Sequence, residues 1–493
     1  MSSTSAAAAA LPAPQARSQG IAVRRGVILV LMTLIVPGSA QVAAGNKRLG
    51  RLALRVWLTL LALVVVVAVV TVFARTFVVG LYANPITLRV LQVLVLVLGV
   101  SWALLMLDAW RIANPRGMSG AGRVLSGLLA VLLAAGTGSA AWAASGMFGA
   151  QSSLISTVFT GGGKVEAEHG RYNVLLMGGD AGADRWGMRP DTMIVASIDA
   201  DTGRTVLFSL PRNLQWAPIP SDNPLHKKYP NGYWCSDQSC LLNAVYTLAV
   251  NNKNLFPGVK YPGAEATADV VGEVLGLKIN YWAMIDLKGF QHLIDAVGGI
   301  RLDISKRIPI GSLHGPKGVY DWIEPGKNVK LDGWHALWFA RSREYASDYE
   351  RMARQKCVIN AMVKQLNPST VLSNFNDIAK ASEDVVATNI PSDQLGVALD
   401  LALKGRSLPM SSVNFTPPLI KPVKPDFAKI RSIVKDKIEA SKALDYPDEA
   451  STSPTPSGTP DASPSASSKP KPKPTKSGST QTDDLTTVCK VSN

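Results

Sequence analysis

Residues 173–200 read NVLLMGGDAGADRWGMRPDTMIVASIDA, two apolar runs separated by a turn rich in Gly and Asp. Short β-branched runs bounded by such residues read as strands. The first strand, Val174 to Met177, ends in Gly178-Gly179, which permit a tight turn. Asp180 follows at the strand's C-terminal edge, where open α/β sheets bind ligands. Arg189 and Asp191 stand at the start of the next strand. Working outward, RTVLFSL, NYWAMIDL and IRLDIS repeat the strand pattern. LLNAVYTLAV, EATADVVGEVLG, GFQHLIDAVGG, DYERMARQKCVINAMVKQL, DQLGVALDLALKG and FAKIRSIVKDKIEA carry a helical period. This alternation predicts one α/β domain over residues 165–445, a central sheet covered by helices.

The chain before that domain has another character. Trp57–Ala74, Val90–Trp110 and Val124–Ala144 are nearly charge-free, and each reaches the roughly twenty residues needed to cross a bilayer. A fourth apolar stretch, residues 26–45, is broken by Pro37-Gly38-Ser39 and reads as a re-entrant hairpin or a further crossing. Basic clusters flank it on both sides (Arg24 and Arg25, then Lys47, Arg48 and Arg51), and Arg111, Arg116 and Arg123 mark a later loop as cytoplasmic. Residues 1–25 are then a cytoplasmic tail, 26–146 a membrane region, and the α/β domain lies on the extracellular face. Residues 446–493 form a Ser/Pro/Lys-rich tail that cannot bury a core.

That topology disposes of the obvious reading of the net charge of +15. A basic protein suggests nucleic acid, but the excess here serves as an orientation signal, sits in the Lys-Pro tail, or faces the exterior. All four cysteines, Cys235, Cys240, Cys357 and Cys489, fall in the exterior part, as disulfides in an oxidising compartment would. Cys235 with Cys240 is the simplest local staple, leaving Cys357 for Cys489; zinc-site spacing is absent.

The chemistry is concentrated in ARSREYASDYERMARQ, residues 340–355. On a helical wheel starting near Ser347, Met352, Val358, Ile359, Met362, Val363 and Leu366 form the buried stripe. Lys356, Asn360 and Lys364 form the solvent stripe. Asp348, Arg351 and Gln355 fall at the N-terminal end of the buried stripe, with Arg354 at its border. A buried Asp–Arg pair that merely holds the helix is the plain reading. Arg341 and Arg343, two residues apart, point the same way if that segment is extended. Asp348 and Glu344 cannot satisfy four guanidiniums, whereas a pyrophosphate would, through bidentate bonds. Asp180 and Asp191 beside Arg189 suit a magnesium ion shared with phosphate oxygens. In SLPRNL, a strand runs into Pro211 and leaves Arg212 at the same kind of edge.

GGD, RPDT, SLPRN, LLNAVY, GFQHLIDAVGGI, LDGWHALWFARSR and DYERMARQ, in this order, resemble the LytR-CpsA-Psr family over about residues 170–365. The resemblance implies a three-layer α-β-α domain with an apolar groove for a polyprenyl chain. It also implies transfer of a glycopolymer from a lipid pyrophosphate carrier to peptidoglycan. By motif, Asp180 and Asp191 would hold Mg2+. Arg189, Arg212, Arg341, Arg343, Arg351 and Arg354 would bind pyrophosphate, and Gln355 would support them. Asn213 stands where many members of the family have Asp. Which carboxylate takes a proton, Asp180, Asp191 or Asp348, is left open, as are the oligomeric state and the identity of the polymer. His226, in PLHKKYP, is a further candidate base whose plain reading is a solvated loop residue. Two other functions fit the same residues: hydrolysis of the lipid pyrophosphate, or non-catalytic regulation of wall assembly.

Overall fold

Pro37 sets the first break in the structure, since a residue preceding proline is pushed out of the helical region. Helix α1 (Pro14–Ile35) stops two residues before it, and α2 (Ser39–Ala44) restarts after Gly38, whose φ of 87° leaves no room for a side chain against the Gly50 carbonyl. Helices α3 (Lys47–Phe73), α4 (Arg75–Tyr82), α5 (Pro85–Ile112) and α6 (Gly120–Val158) follow. Asn46 and Asn84 cap α3 and α5 through their side-chain oxygens, as Asn at this position commonly does. Lys47–Phe73, Pro85–Ile112 and Gly120–Ser153 are long and apolar enough to cross a membrane. The computed structural model describes residues 14–82, 84–159, 165–179, 189–313, 318–365, 386–446, 482–484 and 489. It divides into two units at Ile155/Ser156. Asp180, Leu366 and the tail residues 447–481 lie outside the described residues.

The second unit is a mixed α/β domain. Its strands β1 (Arg171–Gly179), β2 (Pro190–Asp199), β3 (Thr205–Leu210) and β4 (Tyr281–Asp286) form the centre of a seven-stranded sheet in the order β11-β10-β3-β2-β1-β4-β9. Strand β1 runs antiparallel to β2 and parallel to β4. Side chains alternate across the strands. Leu175, Met177, Val195 and Phe208 face one core, packed with helices α7 (Ala244–Asn251) and α8 (Pro262–Leu275). Leu176, Ile194, Ala196 and Leu207 face the other side.

That other side is covered by the chain that follows. Helix α9 (Leu287–Ala296) and the two-stranded sheets β5 (Ile300–Ile304) with β8 (Gly326–Leu331) and β6 (Ile308–Gly311) with β7 (Val319–Ile323) come first. Helices α10 (Gly333–Arg341) and α11 (Asp348–Gln365) complete a second core with them. Strand β9 (Val386–Thr388), helix α12 (Leu395–Gly405), strand β10 (Ser411–Asn414), helix α13 (Phe427–Asp445) and strand β11 (Thr482–Asp484) finish the domain, α13 returning to the first face. The layers are therefore α-β-α.

Two expectations fail here. Lys356 and Asn360, read as a solvent stripe, are only 2% and 6% exposed, and the Lys356 ammonium reaches Ser412 Oγ at 2.7 Å. Helix α11 is wedged between two surfaces: Cys357, Val358 and Ala361 enter the second core, while Ile359 and Val363 pack on the sheet. A wheel with one buried arc cannot describe a helix covered on two sides. The other failure is the extended segment at Arg341. Asp332 accepts from the His335 amide at 2.9 Å and starts a helix that runs to Arg341 itself, so Arg341 and Arg343 do not share a strand.

Both disulfides form, Cys235–Cys240 and Cys357–Cys489. The second spans 132 residues of sequence and holds the terminal segment whose β11 pairs with β10. Closing so long a loop restricts the unfolded chain by roughly 2–5 kcal/mol. Cys489→Ser is expected to lower the thermal midpoint by several degrees; an unchanged midpoint would show that the tail adds nothing to stability.

Candidate active site at the edge of the sheet

Register brings one end of four strands together. Gly179 pairs with Pro190 across to β2 and with Asp286 across to β4, while Met193 pairs with Leu210, so Arg212 lies just beyond the end of β3 and opposite Asp191. Asp191 is the hub. Its Oδ1 accepts from Arg212 Nη1 at 2.9 Å and its Oδ2 from Arg343 Nη2 at 2.8 Å, while the Asp191 carbonyl accepts from Arg351 Nη2 at 3.3 Å. Asn243 Nδ2 approaches Oδ1 at 3.5 Å.

Helices α10 and α11 and the segment between them supply the rest. Arg351 is 3% exposed and donates through Nε to Asp348 Oδ1 at 3.0 Å; Arg343 Nε lies 3.5 Å from the same oxygen. The Arg341 guanidinium lies 5.0 Å over the Trp338 ring, a cation–π arrangement. Glu344, which lines the same cavity, accepts from Ser312 Oγ and the Leu313 amide. Arg354 donates to the carbonyls of Phe339 and Ser342, and Gln355 donates to the Ala340 carbonyl at 3.3 Å. Both thereby fix the segment that presents Arg341 and Arg343.

Arg212, Arg341, Arg343, Arg351 and Gln355 line a cavity of about 1000 Å3. Its remaining wall is mostly apolar: Leu176, Ile194 and Ile285 from the sheet, Phe290 and Leu293 from α9, and Val358, Ile359, Met362 and Val363 from α11. The register places the charges at Asp191 and Gly179 and the apolar wall further along the strands, at Leu176 and Ile194. Of the residues expected here, Arg189 is exposed and lies outside the cavity lining. Arg354 also lies outside it. Asn213 is exposed, and His226 is held on the Ile219 carbonyl at 2.7 Å, away from the lining residues. The resemblance implied an apolar groove, but the residue reading did not name Trp338, Asn243 or the sheet and α9 residues of its wall. Asn243, within LLNAVY, carried no charge to mark it, and the wall is assembled from four separate segments.

Burial alone would push the Asp191 carboxyl up, but hydrogen bonds and charge from Arg212 and then Arg343 hold it below the usual carboxylate range. A depressed folded pKa contributes stability above the unfolded value, about 3.9, and loses it as pH falls through the folded one. Acid unfolding followed below about pH 4 should therefore be less steep in Asp191→Asn than in the wild type, with the curves parallel above it. Equal acid limbs would mean that the cluster is not coupled to folding.

The α/β domain thus carries guanidiniums at one end of a largely apolar cavity. The chain belongs to the LytR_cpsA_psr family, whose model matches residues 149–416, more than half of its length. It is 30% identical over 242 residues to biofilm regulatory protein A of Streptococcus mutans, covering 47% of this chain and 53% of that one. It is also 30% identical over 235 residues to the polyisoprenyl-teichoic acid–peptidoglycan teichoic acid transferase TagU of Enterococcus faecalis, covering 46% and 65%. The chain thus spans a half to two-thirds of the length of these curated relatives. A crystal structure of B. subtilis TagV is similar at 21% identity, covering 56% of this chain and 98% of that one with a TM-score of 0.40.

Proposed function

We infer that this protein transfers a glycopolymer from a polyprenyl pyrophosphate carrier to peptidoglycan on the extracellular face of the membrane. The observation that carries this reading is the joining of a guanidinium cluster to an apolar cavity of about 1000 Å3. A lipid pyrophosphate has the same two parts in the same order. The name of the TagU relative, a polyisoprenyl-linked polymer transferase, supports it.

Phosphoryl transfer asks little covalent chemistry of a protein and depends on alignment and charge neutralisation. In this reading a hydroxyl of the acceptor glycan, the C6 hydroxyl of a muramic acid residue, attacks the sugar-side phosphorus. The bond from that phosphorus to the bridging oxygen breaks, and polyprenyl phosphate leaves. Arg212, Arg341 and Arg343 face the phosphates, Arg351 holds Asp348 and the backbone of Asp191 in place, and the hydroxyl proton passes to a carboxylate of the set Asp180, Asp191 and Asp348.

Magnesium belongs to the same proposal. Each oxygen of Asp191 takes one guanidinium, which leaves further lone pairs on the carboxylate. Two carboxylates suit an ion shared with phosphate oxygens. Asp191 and Asp180 would hold it, and it would neutralise charge on the phosphates.

The test is turnover of a synthetic polyprenyl-pyrophosphoryl glycan by the full chain in detergent, with and without peptidoglycan and magnesium. Glycan joined to acceptor supports transfer. Release to water in the presence of acceptor indicates a hydrolase, and binding without turnover under every condition a regulator.

A further inference from the structure

The loop leaving the site carries two exposed tryptophans whose arrangement is costly and unexplained by folding alone. Trp216 and Trp234 are 39% and 41% exposed, and their rings stack at 4.8 Å with planes 16° apart. Trp216 adopts φ 56°, a left-handed conformation uncommon for a large residue. Gly232, at φ 95°, lies so close beneath that a side chain there would meet the Trp216 carbonyl at 2.8 Å. The Tyr233 amide donates to the Ala217 carbonyl at 2.8 Å, and the Cys235–Cys240 disulfide closes the loop directly after Trp234. Several constraints therefore converge to hold an aromatic face toward solvent.

The platform is tied through the backbone to Arg212, a member of the guanidinium cluster, although neither tryptophan lines the cavity itself. Leu242 and Asn243 donate their amides to the carbonyls of Leu214 and Arg212, so the contacts that set Arg212 against Asp191 also set the start of the Trp loop. Trp216 follows Arg212 by four positions, at most roughly 14 Å of chain. A glycan joined to a pyrophosphate held at Arg212 has its first sugars within that reach. Pyranose rings present C–H faces that suit the electron-rich face of an indole, and the loop adds polar groups at Asp237 and Ser239 beside it.

We propose that Trp216 and Trp234 form a stacking platform for the first sugars of the glycan carried on the lipid pyrophosphate. This rests on the clamp reading of the arginines. A bilayer contact is the less favoured occupant, because the indoles are stacked on one another and pinned by a crosslinked polar loop rather than splayed.

The experiment measures binding of two probes to the full chain in detergent: farnesyl pyrophosphate, and farnesyl pyrophosphate bearing an N-acetylglucosamine disaccharide. The disaccharide probe is expected to bind about tenfold tighter. Trp234→Ala should erase that advantage while leaving farnesyl pyrophosphate affinity within about twofold, and Trp234→Phe should retain most of it. A sugar advantage that is absent, or that survives in Trp234→Ala, overturns the platform. So does a Trp234→Ala variant that loses affinity for soluble peptidoglycan fragments instead, or that loses tryptophan quenching by brominated lipid after reconstitution. Failure of farnesyl pyrophosphate itself to bind would overturn the clamp, and the platform with it.

Discussion

Arg343→Ala is expected to lower the rate of glycan transfer by at least about a hundredfold, because a donor aimed at charge developing in a transition state is worth about 3–4 kcal/mol. Its effect on stability should stay below about 1 kcal/mol, the usual scale for a solvent-accessible ion pair. The side chain is 40% exposed, and although it meets Asp191 Oδ2 at 2.8 Å, that carboxylate retains Arg212. The two readouts separate a group that serves the ligand from one that serves the fold. A variant that keeps its rate, or one that loses rate and thermal midpoint together, would remove Arg343 from the clamp.

Arg351→Met should behave in the opposite way. Its guanidinium is 4% exposed, bonded to Asp348 and to the Asp191 carbonyl. Burial lowers its pKa, as does the neighbouring Arg343, while Asp348 opposes the shift. Removing one member of a buried pair typically costs about 3–5 kcal/mol; with Asp348 still partly exposed, the lower end is expected here. Chemical denaturation should show a loss of roughly 3 kcal/mol, and activity should fall along with the folded fraction. A stable Arg351→Met variant without activity would instead make this residue a direct phosphate ligand.

The fold was legible where periodicity was clean. The alternation of Leu175, Leu176 and Met177 gives two faces to one strand, and both faces are buried against helices. The edges of the domain were less legible. Strands β6 to β8 contain Pro309, exposed Tyr320 and three lysines or asparagines, so their pattern resembles a loop until β6 pairs with β7 and β8 with β5. Helix α10 hid within LDGWHALWFARSR, because Gly333 and three aromatic residues dilute a helical signal that the Asp332 cap supplies in the structure.

The site divides in the same way. Charge density near residues 340–355 identified the arginines, and strand ends identified Asp191 and Arg212. Density alone does not separate a ligand clamp from a structural cluster. Arg171 and Arg204, buried among Asp199 and Asp445, tie α13 to the strand turn and line neither the site cavity nor the smaller one beside Tyr261. The distinction comes from the apolar wall beside the first cluster, which depends on tertiary packing and leaves no local mark in the chain.

The most direct measurement is photoaffinity labelling of the full chain with a polyprenyl pyrophosphate carrying a diazirine in its tail, followed by peptide mapping. The account predicts adducts on α11, at Val358, Ile359, Met362 or Val363, and on β2 at Ile194, all competed by unlabelled polyprenyl pyrophosphate and weakened in Arg343→Ala. Adducts confined to the second cavity, of about 600 Å3 beside Tyr261 and Trp282, or labelling indifferent to the pyrophosphate, would contradict it.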